Sequence, residues 1–205
     1  MPSLNARSLP LSLVGLRLAC APAIAAAAWA GGSATLLTAI LAVAFLSDVF
    51  DGIVARRLGV ATPELRRADT LADTAFYLAA TLAVFYRSPG VLARNAAWLA
   101  GLAALELARA GLERFKFGKL AAYHLWSSKA WGIALLLGFS EAFLTGRSGP
   151  LFKTALVLGI VSDLEGLAAS LVLSHWRHDV PSLVHAVRLE RSRAGDRSGT
   201  KARRS

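Results

Sequence analysis

Cysteine is nearly absent: Cys20 stands alone among 205 residues, so no internal disulfide forms and no Cys/His spacing suggests zinc. Histidine is scarce at 4 residues, and His175, His178 and His185, which gather near the C-terminus, lack accompanying carboxylates at ligand spacing and read as interfacial histidines. Charge is sparse as well. Charged residues make up 18%, against about 25% in average soluble chains, and hydrophobic residues make up 55%. That balance excludes a disordered chain and is too apolar for an ordinary soluble domain. Anionic residues are the scarcer sign, 13 Asp and Glu against 23 Lys and Arg, a formal net charge of +10. A basic balance also fits nucleic acid, but that partner needs a soluble scaffold offering its cations to phosphates. Here the scaffold reads as lipid-facing helix, so the expected partners are membrane lipids and no nucleic acid.

Long apolar runs are abundant instead. They cover about 11 to 30, 34 to 55, 70 to 87, 90 to 110, 128 to 145 and 151 to 173, each near the ~20 residues that cross a bilayer as a helix. Gly31-Gly32, Pro63, Pro89-Gly90, Gly118 and Gly149-Pro150 fall in the gaps, where helix breakers belong. The expected fold is all-α, a polytopic membrane protein of six transmembrane helices. Arg7 followed by an apolar run ending at Ala25 to Ala28 is similar to a secretory signal, but Arg17 interrupts the run and the apolar pattern resumes downstream. The segment is therefore expected to be a mature helix. No internal repeat is visible.

Cations in the gaps set the orientation. Arg7, then Arg56, Arg57, Arg66 and Arg67, then Arg114, Lys116, Lys119 and Lys129, then the run from Arg177 to Arg204 share one side; the other holds Arg87, Arg94 and Arg147. Both termini are expected in the cytoplasm, in a multi-pass cell membrane protein. Composition divides the chain into a membrane domain over 1–185 and a basic tail over 186–205. The tail lacks the apolar residues to offset ordering entropy and is expected to be disordered. It is drawn to anionic headgroups by roughly 1 kcal/mol per cation.

Four carboxylates stand inside or at the ends of apolar helices: Asp48 and Asp51 on the second, Asp69 and Asp73 on the third. Spacings of three and four put each pair on one helical face, and the short loop makes the two helices antiparallel neighbours, so the four converge. A single Asp at membrane depth costs ~2.5 to 3.5 kcal/mol. Helix-end residues facing water account for Asp69, which the helix dipole also favours, but Asp48, Asp51 and Asp73 call for cations. Clustered oxygen ligands suit Mg²⁺ or Mn²⁺. Gly52 and Ala55 leave room beside them, and Arg56 adds a fixed cation one turn on.

The string DVFDGIVARRLGVATPELRRADTLAD resembles the CDP-alcohol phosphatidyltransferase signature D-x2-D-G-x2-A-R-x8-G-x3-D-x3-D. Asp48, Asp51, Gly52, Ala55, Arg56, Asp69 and Asp73 match at the family's spacing, and the family's later glycine falls on Leu65. The resemblance implies a membrane enzyme of phospholipid synthesis. It would move a phosphatidyl group from a CDP-linked lipid such as CDP-diacylglycerol to a small alcohol and release CMP. It implies metal ligation by Asp48, Asp51 and Asp69, with Asp73 completing the metal site and serving as general base. It also implies a nucleotide site at Gly52, Ala55 and Arg56.

Other positions carry less. Arg17 and Pro22 in RLACAP are similar to the family's R-L-x3-P opening, although the family's Thr three residues before the Arg is Val14. An Arg reaching the interface and a ligand role fit Arg17 equally. Family members that take phosphorylated acceptors often carry basic groups near RFKFGKLAAYHLWSSKAWG, so Lys119 and Lys129, with Tyr123 and His124, are acceptor-site candidates. Arg114 and Lys116 read as topological anchors, with Trp126 and Trp131 as interfacial aromatics. Glu106 and Arg109 read as a pair within one helix, and Asp163 and Glu165 as facing the bundle or pairing with Lys153 or Arg109. Two rivals remain: a transporter or channel with an Asp-lined cation path, and a catalytically silent family member, for which Leu65 is the argument. Monomer and homodimer are both open.

Overall fold

The computed structural model describes residues 4–60, 62–121, 123, 125–177 and 180–202, so His124 and His178 lie outside the described residues, as do the side chains of Arg7 and Arg66. The described residues form helices and no strand: α1 (Leu4–Trp29), α2 (Ala34–Arg57), α3 (Pro63–Arg87), α4 (Pro89–Arg94), α5 (Ala96–Phe117), α6 (Trp126–Thr145), α7 (Pro150–Val172) and α8 (Leu183–Ala202). Among the described residues four stretches are long and apolar enough to cross a membrane: Leu9–Trp29, Ala34–Arg57, Arg67–Arg87 and Pro150–Val172. These coincide with four of the six crossings expected from the sequence. Helices α5 and α6 are not among those four.

Local chemistry sets the helix ends. Ser33 caps α2 by accepting from the Leu36 amide at 3.1 Å. Beyond α2, Gly59 adopts φ +64°, and the Val60 amide returns to the Ala55 carbonyl at 3.0 Å. A left-handed residue here closes the helix and is easiest for glycine. Thr62 then caps α3 by accepting from the Leu65 amide at 3.3 Å, with Pro63 at the first helical position. The apolar run expected to start a helix at 90 is broken at Asn95. Its buried side-chain amide donates to the Val91 carbonyl at 2.7 Å, and α5 starts after it.

The chain forms two compact units. The first comprises Met1–Asn95 and Leu135–Phe152. Within it, α1 packs along both α2 and α3, which meet each other little. This corrects the expectation that α2 and α3 are simple neighbours: α1 supplies most of the surface joining them. Small buried residues, Ala21 and Ala28 on α1, Ala44 on α2, Ala80 and Ala83 on α3, let the backbones approach. Phe139 stacks on Tyr77 and on Phe143, each at 6.3 Å, and meets Phe152 edge-on.

The second unit comprises Ala96–Ala134 and Lys153–Ser205. Ala169, Leu173, Val180 and Ala186 form a buried cluster with Phe117, Tyr123 and Leu183 against it. Lys116 Nζ donates to the Ser170 and Leu171 carbonyls at 2.9 and 2.8 Å, satisfying the C-terminal end of α7. Helix α8 starts before the compositional change at 186 and runs to Ala202, whereas the sequence led us to expect a disordered tail there. Its first turn is held by Glu165, which accepts from the Leu183 amide at 3.0 Å, and by burial of Ala186.

Candidate active site

The four aspartates converge in the first unit. Asp48 and Asp51 lie on the last turns of α2, and Asp69 and Asp73 on the early turns of α3. Asp51 is buried, whereas Asp48, Asp69 and Asp73 are partly exposed. One carboxylate oxygen from each of Asp48, Asp51 and Asp69 lies within 4.8 Å of the others. Asp73 is outside that trio but joins it through Arg17 on α1.

Arg17 is the largest fully buried side chain among the described residues, at 1% exposed. Its Nη2 pairs with Asp48 at 3.2 Å and donates to Asp51; its Nη1 donates to Asp69 at 2.7 Å and to Asp73. The sequence left Arg17 between two readings. The structure places it buried inside the carboxylate cluster. A useful sequence signal was its position within an apolar run: an arginine at that depth requires anionic partners, and the chain supplies four.

Around the cluster, Gly52 has a specific reason. The Arg56 guanidinium folds back over it, and a Cβ at position 52 would stand 3.2 Å from Arg56 Nη1. Ala55 is buried and Arg56 is exposed. Leu65 is half-buried at the start of α3.

A family model for CDP-alcohol phosphatidyltransferases matches residues 7–176. The chain belongs to this family. As a CDP-alcohol phosphatidyltransferase family member it falls among membrane phosphotransferases of phospholipid synthesis that use a divalent metal. No curated protein and no solved structure matches the chain. The donor set suits such a cation: three carboxylate oxygens close enough to share one hard ion, with no sulfur or imidazole among them.

The remaining candidates belong to the second unit. Lys119 Nζ stands over the Trp176 ring at 3.5 Å, and Lys129 Nζ over the Trp126 ring at 4.2 Å. Tyr123 shares a hydrogen bond with Ser170 Oγ at 3.1 Å, and Ser170 donates to Glu113 at 2.9 Å; burial raises the Tyr123 hydroxyl pKa above its ordinary value. Arg114 donates to the Gly118 carbonyl at 2.7 Å. Arg109 bonds both oxygens of Glu106 at 3.0 Å, as their spacing suggested, and also pairs with Asp163. Glu165 is taken up by Ser127 and the Leu183 amide. His175 contacts Ser174 and Arg193, and among the described residues the metal-type cluster is the Asp48, Asp51 and Asp69 trio.

Proposed function

We propose that the chain transfers a phosphatidyl group from CDP-diacylglycerol to an alcohol and releases CMP. The observation that carries this reading is the convergence of Asp48, Asp51, Asp69 and Asp73 on the family's motif positions. In this reading Asp48, Asp51 and Asp69 hold Mg²⁺ or Mn²⁺, and Asp73 completes the site. Bound there, a divalent cation would supply charge to neutralise the pyrophosphate and stabilise the leaving CMP oxygen. Gly52 and Ala55 leave space at the nucleotide end, and Arg56 offers a cation to its phosphate.

Asp73 accepts the proton of the acceptor hydroxyl while that oxygen bonds to the lipid-side phosphorus and the bond to CMP breaks. An ionised carboxylate is a weak base, so the alcohol must be held in place. Lys119 and Lys129 are the proposed acceptor-binding groups, and the acceptor is proposed to carry a phosphate. We further read α5 and α6 as spans beside the four apolar ones, with both termini and the carboxylates on the cytoplasmic side of the cell membrane, following the cation distribution.

The test is to supply the purified protein with CDP-diacylglycerol, Mg²⁺ or Mn²⁺ and a panel of alcohols, then detect CMP and identify the lipid product. CMP release that depends on both metal and acceptor is the expected result. Absence of transfer across the panel rejects the reading.

A further inference from the structure

Arg17 touches every carboxylate of the cluster, including those of the three aspartates whose grouping suits a cation. The oxygens of Asp48, Asp51 and Asp69 lie within 4.8 Å of one another. Arg17 Nη2 is already 3.2 Å from Asp48 and bonded to Asp51, and Nη1 is 2.7 Å from Asp69. Arginine stays charged at any accessible pH, and its planar fork suits carboxylates. One fixed cation thus occupies the centre of four carboxylates. A divalent ion bound by these carboxylates would draw on the same negative charge, so the guanidinium would give up some of its present contacts.

We propose that Arg17 is a positioning residue and the resident counter-cation of the cluster, competing with the divalent cation for the same carboxylates. It draws Asp48 and Asp51 on α2 toward Asp69 and Asp73 on α3 by bridging from α1, and it yields contacts with Asp48, Asp51 and Asp69 as the cation binds. This inference rests on the reading of the cluster as a divalent-cation site. Two effects of opposite sign follow from one substitution. Loss of the guanidinium leaves four carboxylates to repel one another and weakens the cation-free fold. It also removes the competitor, so the cation binds more tightly. A purely structural arginine gives the first effect without the second.

The experiment is calorimetric titration of the full chain in detergent with Mn²⁺, without lipid substrate, beside thermal unfolding in chelator and in Mn²⁺. Arg17→Gln is expected to bind Mn²⁺ at least about tenfold more tightly than wild type, equivalent to about 1.4 kcal/mol. It should melt lower in chelator and gain more from Mn²⁺ than wild type does. Arg17→Lys, which keeps the charge with fewer donors, should fall between the two and carries the test if Arg17→Gln does not fold. Unchanged or weaker affinity in the folded variants overturns the proposal while leaving the cation site intact. No Mn²⁺ binding by wild type or by either Arg17 variant overturns the cation-site reading and the proposal together, and Asp51→Asn serves as the control that removes a ligand but keeps Arg17.

Discussion

Arg109 on α5 stands 3.3 Å from Asp163 on α7, and Asp163 is 1% exposed with neither oxygen accepting a hydrogen bond among the described residues. Asp163 therefore depends on this ion pair for charge compensation. Arg109→Met is expected to lower stability by about 3 to 5 kcal/mol, as when one partner of a buried pair is removed. Arg109→Met combined with Asp163→Leu should recover part of that loss, since Arg109 also pairs with Glu106 and Glu113, read from unfolding in detergent.

Asp48→Asn, Asp51→Asn and Asp69→Asn should each weaken Mg²⁺ or Mn²⁺ binding and abolish transfer, since an amide lacks the anionic charge that holds a hard cation. Metal titration checks this. Unchanged affinity in all three variants rejects the assignment.

Asp73→Asn should leave CDP-lipid binding largely intact while turnover falls by about 10² to 10⁴, the usual range for a lost general base. Binding and single-turnover measurements separate the two effects. Near-normal turnover removes Asp73 from that role.

Lys119→Ala tests the acceptor. The ammonium over Trp176 is expected to contribute to binding a phosphorylated alcohol, so its loss should raise KM for that acceptor more than for an unphosphorylated one. Equal loss for both kinds, or preference for the unphosphorylated alcohol, returns Lys119 to a topological anchor.

Glu190 on α8 accepts from the Ser174 backbone amide at 3.1 Å and from its hydroxyl, which holds its carboxyl below the ordinary 4.5. A lowered folded value means its stabilisation is present above 4.5 and is lost as pH falls through the lower folded value. Arg193 and His175 lie beside it and favour the same charged form. Thermal midpoints measured as pH is lowered should show a smaller decline in Glu190→Gln than in wild type.

The linear chain already specified much of this protein. Apolar length and breaker positions were enough for an all-helical chain with membrane-spanning segments, because a helix repeats on its own local period. The spacing of Asp48, Asp51, Asp69 and Asp73 was enough to pair them on two faces, and the surrounding motif was enough for the family. The Glu106–Arg109 pair was legible for the same reason, being one turn apart. Tertiary structure decided which faces meet. Periodicity places Arg17 on a face of α1 but does not say that α1 packs along both α2 and α3, so its bond to Asp69, 52 positions away, was not legible. The same holds for Ala186 against Ala169, while for Asp163 the fold chose Arg109 among the alternatives the sequence offered. Helix formation follows from neighbours in sequence, whereas the choice of partner for a buried charge depends on packing between distant segments and on the cost of leaving that charge alone.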